Sequence, residues 1–358
     1  MKNIFTVLLT VTFTTCAFLV VLCQESSWAS PPKRLFIIHS YENGHICGQP
    51  QHAGAIKALE EAGFAVGRNI VIGTYYMDTK KNNNTPPLIQ EQAVNAKNAL
   101  IKFKPDAVLT LDDNAFRTVA LQAAGDTTAY VFSGLNGQPE MYNEKIKFME
   151  SRAKPSGNIT GVYEKLYIRE AIQVLSTMHR LDKVLILDDQ SPTGKAIAKQ
   201  VELELFIHEG ASPTPSELEQ RTINSWEEFT QVINEINNDD QIGAFYLGTL
   251  LLHDAAGKVY TASEIIDYTL ENAKKPAIGL NYAFIKLGLY GGATVDFFAM
   301  GHLAGQKIAE ILKGGDPGII PIEDAPKVAL VFNLKRANDL SMDIPPDILM
   351  AADEVFSK

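Results

Sequence analysis

The sequence predicts an α/β protein of two doubly wound parallel-sheet lobes that face one ligand cleft. Three observations carry this. Short apolar runs alternate with helix-length amphipathic stretches, the pattern of parallel strands joined by crossover helices. That alternation is interrupted over residues 141–161 and then begins again. Two stretches also read almost alike, Asp106-Ala-Val-Leu-Thr-Leu-Asp-Asp-Asn-Ala115 and Asp182-Lys-Val-Leu-Ile-Leu-Asp-Asp-Gln-Ser191. Each is an apolar run suited to a strand buried on both faces, ending in paired aspartates where a helix should begin. Ligands of open parallel sheets sit beyond the carboxyl ends of the strands, so a polar pair there in each half marks two sheets sharing a cleft. The plain alternative for each pair is an Asp helix cap.

Residues 34–39 (Arg-Leu-Phe-Ile-Ile-His) form the first expected strand, with Ser40-Tyr41-Glu42-Asn43-Gly44 as the loop beyond it. A helix follows from about Gln51 with Gly63 as its stop, since glycine accepts the left-handed residue that ends a helix. The second strand spans 69–75, a polar loop 79–87 and a helix 88–103, which leads to the strand at 107–111. Residues 129–132 complete the series and end in Ser133-Gly134. We read 141–161, with Pro155 and two glycines, as the first passage between lobes. The second series runs helix 166–178, strand 183–187, helix 194–208 and strand 218–222. Ser225-Trp-Glu-Glu228 then opens a helix as a capping box, in which Ser and Glu satisfy each other's backbone donors. A strand at 242–247, a helix at 261–273 begun by a second capping box (Thr261, Glu264), and strands at 277–280 and 289–294 follow. The long helix 298–312 and a strand at 327–334 close the chain.

At 358 residues the chain has room for two domains. Its net charge of -10 argues against nucleic acid or an anionic membrane as the main partner. Lys2, the apolar run 4–23 and the small residues Ser27 and Ala29 describe a secretory signal cleaved after Ala29 (residues 1–29), with an uncleaved membrane anchor as the rival. Once Cys16 and Cys23 leave with that signal only Cys47 remains, so no internal disulfide can form and the fold must rest on its core.

Motifs for chemistry are mostly rejected. Ser191-Pro-Thr-Gly-Lys195 lacks the glycine and the hydroxyl residue that a phosphate loop needs, and neither a Gly-x-Ser-x-Gly elbow nor a dinucleotide glycine motif follows a strand. We therefore expect no cofactor. His45, Cys47 and His52 lie close in sequence, but no further ligand completes a zinc set, so no metal is expected. Paired carboxylates also serve glycosidases. Here they are spread over both lobes without a nucleophile or basic partner, which suits holding a ligand better than breaking one, so no catalytic residue is expected.

The C-terminal thirty residues carry a resemblance. Val328-Ala-Leu-Val-Phe-Asn333-Leu-Lys335-Arg-Ala337, then Leu340, Ile344-Pro345-Pro346 and Ala352-Asp353-Glu-Val355 are similar to the closing signature of one family. It is that of the extracytoplasmic substrate-binding proteins of ABC importers, with tryptophan- and phenylalanine-binding members. Gly157-Asn-Ile-Thr-Gly161 and Gly301-His-Leu-Ala-Gly305 also resemble family segments. The resemblance implies a type 1 periplasmic binding protein, monomeric, with a hinge closing two lobes on a small molecule. Residues 33–150 with 296–320 would form one lobe, and 151–295 with 321–358 the other. The partner would be an ABC permease in the inner membrane, or a membrane signalling protein that reads the loaded shape; an enzyme acting on a small solute is the third class. One departure matters: relatives carry Gly-Thr-Pro-Ala where this chain has Asp112-Asp113-Asn114-Ala115, which favours an amine or hydroxyl over a carboxylate at that point.

Pocket candidates from the first lobe are Ser40, Tyr41, Glu42, Asp112, Asp113, Asn114, Ser133 and Gly134. Those from the second are Tyr163, Glu164, Asp188, Asp189, Thr249, Asn281 and Tyr282, with Asp296 at a crossover. For Ser133 and Thr249 the plain alternative is turn formation, for Asp296 a helix cap, and for Tyr163 and Tyr282 packing within their own lobe. The expected ligand is an amino acid or related amine, its ring stacked on Tyr41 or Tyr282 and its amine on Asp or Glu.

Overall fold

Strands β1 (Lys33–His39), β2 (Ile70–Tyr76), β3 (Ala107–Leu111), β4 (Ala129–Leu135) and β5 (Ile159–Tyr163) build a sheet in which every pairing is parallel. The computed structural model describes residues 31–207, 217–248, 251–326 and 328–357. The expected signal segment and Thr249 lie outside the described residues. β3 and β4 are buried along their whole lengths, as strands covered by helices on both faces must be.

A second parallel sheet holds β6 (Lys183–Asp189), β7 (Glu217–Ile223) and β8 (Ile242–Leu247). A short hairpin, β9 (Leu251–His253) with β10 (Val259–Thr261), leads on to β11 (Ala277–Gly279), which joins β8 in that sheet. β12 (Gly291–Val295), β14 (Val328–Asn333) and β15 (Glu354–Phe356) make a third, mixed sheet, while β13 (Glu323–Asp324) returns to pair with β5. The strand orders are β13-β5-β4-β3-β1-β2 and β11-β8-β6-β7. Strand order reverses between β1 and β3 in the first sheet and between β6 and β8 in the second, the points where doubly wound sheets open a crevice.

Two expectations are corrected. The segment 141–161 is not a bare passage: a helix at Pro139–Lys145 is followed by β5, which hydrogen-bonds along β4. Ile159-Thr-Gly-Val-Tyr163 is apolar enough to be fully buried, so the first sheet runs beyond residue 150 and, through β13, beyond residue 320. At Ser225 only half the capping box forms. Its hydroxyl accepts from Glu228 N at 3.1 Å, whereas the Glu228 carboxylate takes Asn224 N at 2.7 Å. The second box forms, with Glu264 accepting from Thr261 N at 2.9 Å.

The helix Phe297–Leu312 lies against Gly48–Glu61 at unusually close range. A Cβ at Gly301 would stand 2.0 Å from the Gln51 carbonyl, and one at Gly54 would stand 2.1 Å from that of Phe298. Only glycine permits this approach, and it fixes Gln51 beneath the ends of β3 and β4.

Candidate binding cleft

The residues beyond β1 and β3 are locked together before any solute is considered. Ser40 donates its hydroxyl to Leu111 O at 2.7 Å and accepts from Ala115 N at 2.8 Å, so its hydrogen-bonding capacity goes into joining two strand ends. Asn114 donates to Thr79 Oγ1 at 2.9 Å and accepts from Arg117 at 2.8 Å. Ser133 donates to Gln51 Oε1 at 2.7 Å, and Gln51 Nε2 in turn donates to Asp112 Oδ1 at 3.2 Å. Gly134 has φ +77, and a Cβ there would stand 2.8 Å from Gln51 Oε1. These four residues shape the site and aim Asp112.

The paired aspartates have unlike roles. Asp113 accepts from Asn136 N (3.3 Å), Asn136 Nδ2 (3.0 Å), Gly137 N (3.3 Å) and Tyr142 Oη (2.8 Å), so its charge is dispersed over the loop after β4. Asp112 is held at φ +66, a left-handed conformation uncommon outside glycine. Its Oδ2 is buried without a hydrogen bond. Burial first, then the neighbouring Asp113, raises the Asp112 carboxyl to about 8, against the pull of Gln51 and Lys80. Glu164, directly after β5, is buried with both carboxyl oxygens unpartnered. Burial, followed by Asp112 and Asp113, holds it well above the ordinary carboxylate range. The Asn136 amide is committed to Asp113, and its own Oδ1 is likewise buried and unpartnered.

These groups meet in a small cavity of about 10 Å³. The first sheet and its helices supply Tyr41, Cys47, Asp112, Asn136, Glu164 and Phe297, and the opposite wall is Thr193, Ile197 and Leu280. The Tyr41 hydroxyl lies 3.4 Å from Thr193 Oγ1, and its ring has His45 at 4.4 Å and the Lys80 ammonium at 5.1 Å. Lys80 is buried with its ammonium unpartnered. The cavity is large enough for one water; an amino-acid-sized solute requires the two sheets to part.

Of the other expected residues, Asp189 ties its own loop, accepting from Ser191 N at 2.8 Å and Leu251 N at 3.0 Å. Asp188 accepts from Gln220 at 2.7 Å and keeps one buried oxygen unpartnered. Neither aspartate lines the cavity. Tyr163 is buried where Gln138 donates to its hydroxyl and the Arg152 guanidinium sits 4.9 Å above its ring. Asn281 caps the helix Tyr282–Lys286 through Ala283 N at 3.0 Å and points its amide at Cys47 Sγ, 3.7 Å away. Tyr282 and Asp296 line a separate outer groove of about 780 Å³, where Tyr282 bonds Glu354 and Asp296 caps its helix through Ala299 N at 2.9 Å. Glu42 lies on a third hollow, beside Lys80 and Lys81 and facing Thr261 and Glu264; burial above all raises its carboxyl.

The sequence reading passed over Gln51, Lys80, Asn136, Thr193, Ile197, Leu280 and Phe297 as lining or supporting residues. Asn136 and Thr193 carried a usable signal, each lying just past a strand end; Lys80 sits in a polar loop with no period to mark it. His45, Cys47 and His52 do not converge. His45 Nδ1 accepts from Cys47 N at 3.2 Å, while His52 Nδ1 faces His39 Nε2 at 2.9 Å. Among the described residues no His, Cys, Asp or Glu group is arranged to hold a metal.

A family model described as ABC transporter substrate binding protein matches residues 49–356. A tyrosine-binding protein of Clostridioides difficile (strain R20291) is 23% identical over 290 residues, 81% of this chain and 76% of that protein. An ABC domain from Streptococcus pneumoniae in complex with L-Trp superposes with a TM-score of 0.70 at 17% identity, covering 91% of this chain and 100% of that one. The ligand-free, open structure of a substrate-binding protein with adhesive properties from Clostridium difficile gives a TM-score of 0.64 at 17% identity, covering 91% and 100%. The shared architecture is the type 1 periplasmic binding fold.

Proposed function

The chain belongs to the ABC transporter substrate-binding protein family, and on that premise we propose that it grips an amine-bearing solute in the Asp112–Glu164 cavity and gives it up unaltered. Solute binding is the family's role, exercised outside the cytoplasm. The identity of the solute, the residues that hold it and the hinge are our reading.

One observation carries this reading: Asp112 and Glu164 present buried, unpartnered carboxyl oxygens to the same cavity. A buried charge is costly unless it is paired and hydrogen-bonded, and the Lys80 ammonium, which favours the charged form of both carboxyls, gives neither of them a hydrogen bond. An ammonium supplies three donors and one positive charge. Tyr41, Phe297, Leu280 and Ile197 give the apolar walls that small-molecule sites use around a few fixed polar groups. The tyrosine-binding relative and the L-Trp complex support an aromatic body on the solute. Tyr41 is the aromatic face for it, because Tyr282 belongs to the outer groove.

The lobes follow the two parallel sheets, and entry requires them to swing apart about the crossing segments; the open relative supports such a motion. Residues 1–29 direct export, the protein acts as a monomer without turnover, and a membrane permease receives the solute. Mass spectrometry of compounds released from the purified protein, followed by calorimetry with aromatic amino acids and their decarboxylated amines, tests the reading. Heat from the amines supports it; a panel in which only amine-free solutes bind overturns it.

A further inference from the structure

We propose that the solute also carries an oxyanion group, such as a carboxylate or phosphonate, at the end remote from its amine, and that this group seats in a basic hollow beyond Asn136. The inference rests on the amine reading above and extends it to the class of solute.

The hollow has a volume of about 220 Å³ and opens between the ends of β3 and β4 on one side and the helix Pro192–Glu202 on the other. Arg117 and Lys145 line it from the first side, Lys195 and Lys199 from the second. Lys195 and Lys199 are four residues apart on one helix and therefore share a face. In a chain of net charge -10, four cations around one hollow are not a consequence of composition.

Most of this charge is uncommitted. Lys199 pairs with Glu202 at 2.7 Å, and Arg117 gives one N–H to the neutral Asn114 side chain at 2.8 Å. Lys145 and Lys195 have no ion pair among the described residues. The acidic group facing the hollow is Asp113, whose oxygens already accept from Asn136, Gly137 and Tyr142. Closure therefore brings like charges from two sides of the molecule together, an arrangement that repels unless an anion lies between them.

Asn136 lines both this hollow and the acidic cavity. On one side of it stand unpartnered carboxyls, on the other uncommitted cations. A solute with charges of opposite sign at its two ends matches both, whereas an α-amino acid carries its amine and carboxylate on one carbon and cannot reach across the residue. Arginine and lysine differ in geometry but both suit oxyanions, and the planar Arg117 fork favours a carboxylate or phosphonate.

Calorimetry on the purified full-length protein with benzylamine, 4-(aminomethyl)benzoate and 4-(aminomethyl)phenylphosphonate, in low-salt buffer, tests the assignment. The two zwitterions should bind at least about tenfold more tightly than benzylamine, an advantage that shrinks with added salt. Lys195→Glu and, from the opposite wall, Lys145→Glu should each pull the zwitterion-to-benzylamine affinity ratio toward one. Both residues are exposed, so the variants should fold, which circular dichroism verifies. If benzylamine binds as tightly as the zwitterions, or the ratio survives both reversals, the oxyanion assignment fails while the amine reading stands. If none of the three binds, both fall together.

Discussion

The Tyr41 hydroxyl meets Thr193 Oγ1 at 3.4 Å, joining the loop after β1 to the first turn of the helix that follows β6. The contact is long for a hydroxyl pair, so it is weak, at the lower end of the roughly 0.5–1.5 kcal/mol that such bonds contribute. Tyr41→Phe should leave thermal stability nearly unchanged and lower solute affinity no more than about fivefold. Tyr41→Ala removes a ring that is almost fully buried. It should weaken binding far more, by about 2 kcal/mol or more, and titration calorimetry on both variants reads the difference.

Glu164 offers a sharper test, because its buried carboxyl oxygens accept no well-formed hydrogen bond; the nearby Asn136 amide, which favours its charged form, is already given to Asp113. In the unliganded molecule Glu164→Gln replaces a strained acid by a neutral amide of the same shape. The variant should melt at a temperature equal to or above that of the parent. It should also bind the amine about thirtyfold to a hundredfold more weakly, the loss expected when a charged hydrogen bond of about 2–3 kcal/mol disappears. A gain in stability together with a loss of affinity is the signature of a residue kept for its ligand. A variant that loses both would make Glu164 structural.

Asp112 sets a pH dependence. Its carboxyl rises from an ordinary 3.8 to about 8 in the closed cleft, through burial first and Asp113 second. An acid raised in this way favours the closed form fully below its ordinary value, and that contribution is lost as pH climbs to the raised one. Glu164 is shifted in the same direction. Lys80 and Gln51 oppose the shift, and Tyr41 and Cys47, which share the cavity, are raised themselves and stay neutral in this range. Without solute, the molecule should therefore open between about pH 4 and 8, at no more than about 1.4 kcal/mol per unit for each group. Small-angle scattering would show the radius of gyration growing over that span, and Asp112→Asn should flatten the change. Amine affinity should rise over the same span with release of protons, detectable by calorimetry in buffers of different ionisation enthalpy.

The strands were legible because period and apolar content declare them: β3 falls on its expected residues, and β1 and β6 within two residues of theirs. What could not be read was the fate of individual polar atoms. Asp112 and its counterpart Asp188 hold the same place in near-identical strings and each keeps one buried oxygen unpartnered, yet Asp112 lines the cavity and accepts from Gln51, whereas Asp188 lies away from it and accepts from Gln220. The difference arises from partners distant in sequence, such as Gln51 and Asn136, and from the φ of Asp112. Lys80 was hidden for the same reason: a lysine in a polar loop gives no sign that the fold will bury its ammonium.

Gly301 shows how far that long-range support extends. Its missing Cβ lets the helix Phe297–Leu312 come close enough that an added methyl would stand 2.0 Å from the Gln51 carbonyl. Real Cβ atoms do not tolerate such a distance, and the obstacle is backbone, so the helices must separate. Overpacking of this kind costs about 1–3 kcal/mol or more, and Gly301→Ala should lower the denaturation midpoint accordingly without changing the slope. Because Gln51 donates to Asp112 at 3.2 Å, the displacement should also release that carboxyl, and amine affinity should fall although Gly301 does not line the cavity. Gly314→Ala serves as the control. It lies just beyond the end of this helix, at φ +103 with nothing near its Cβ position, so it should reduce stability through backbone strain while leaving affinity as it was. If Gly301→Ala loses stability but binds the amine with parental affinity, the Gln51–Asp112 link does not tune the site.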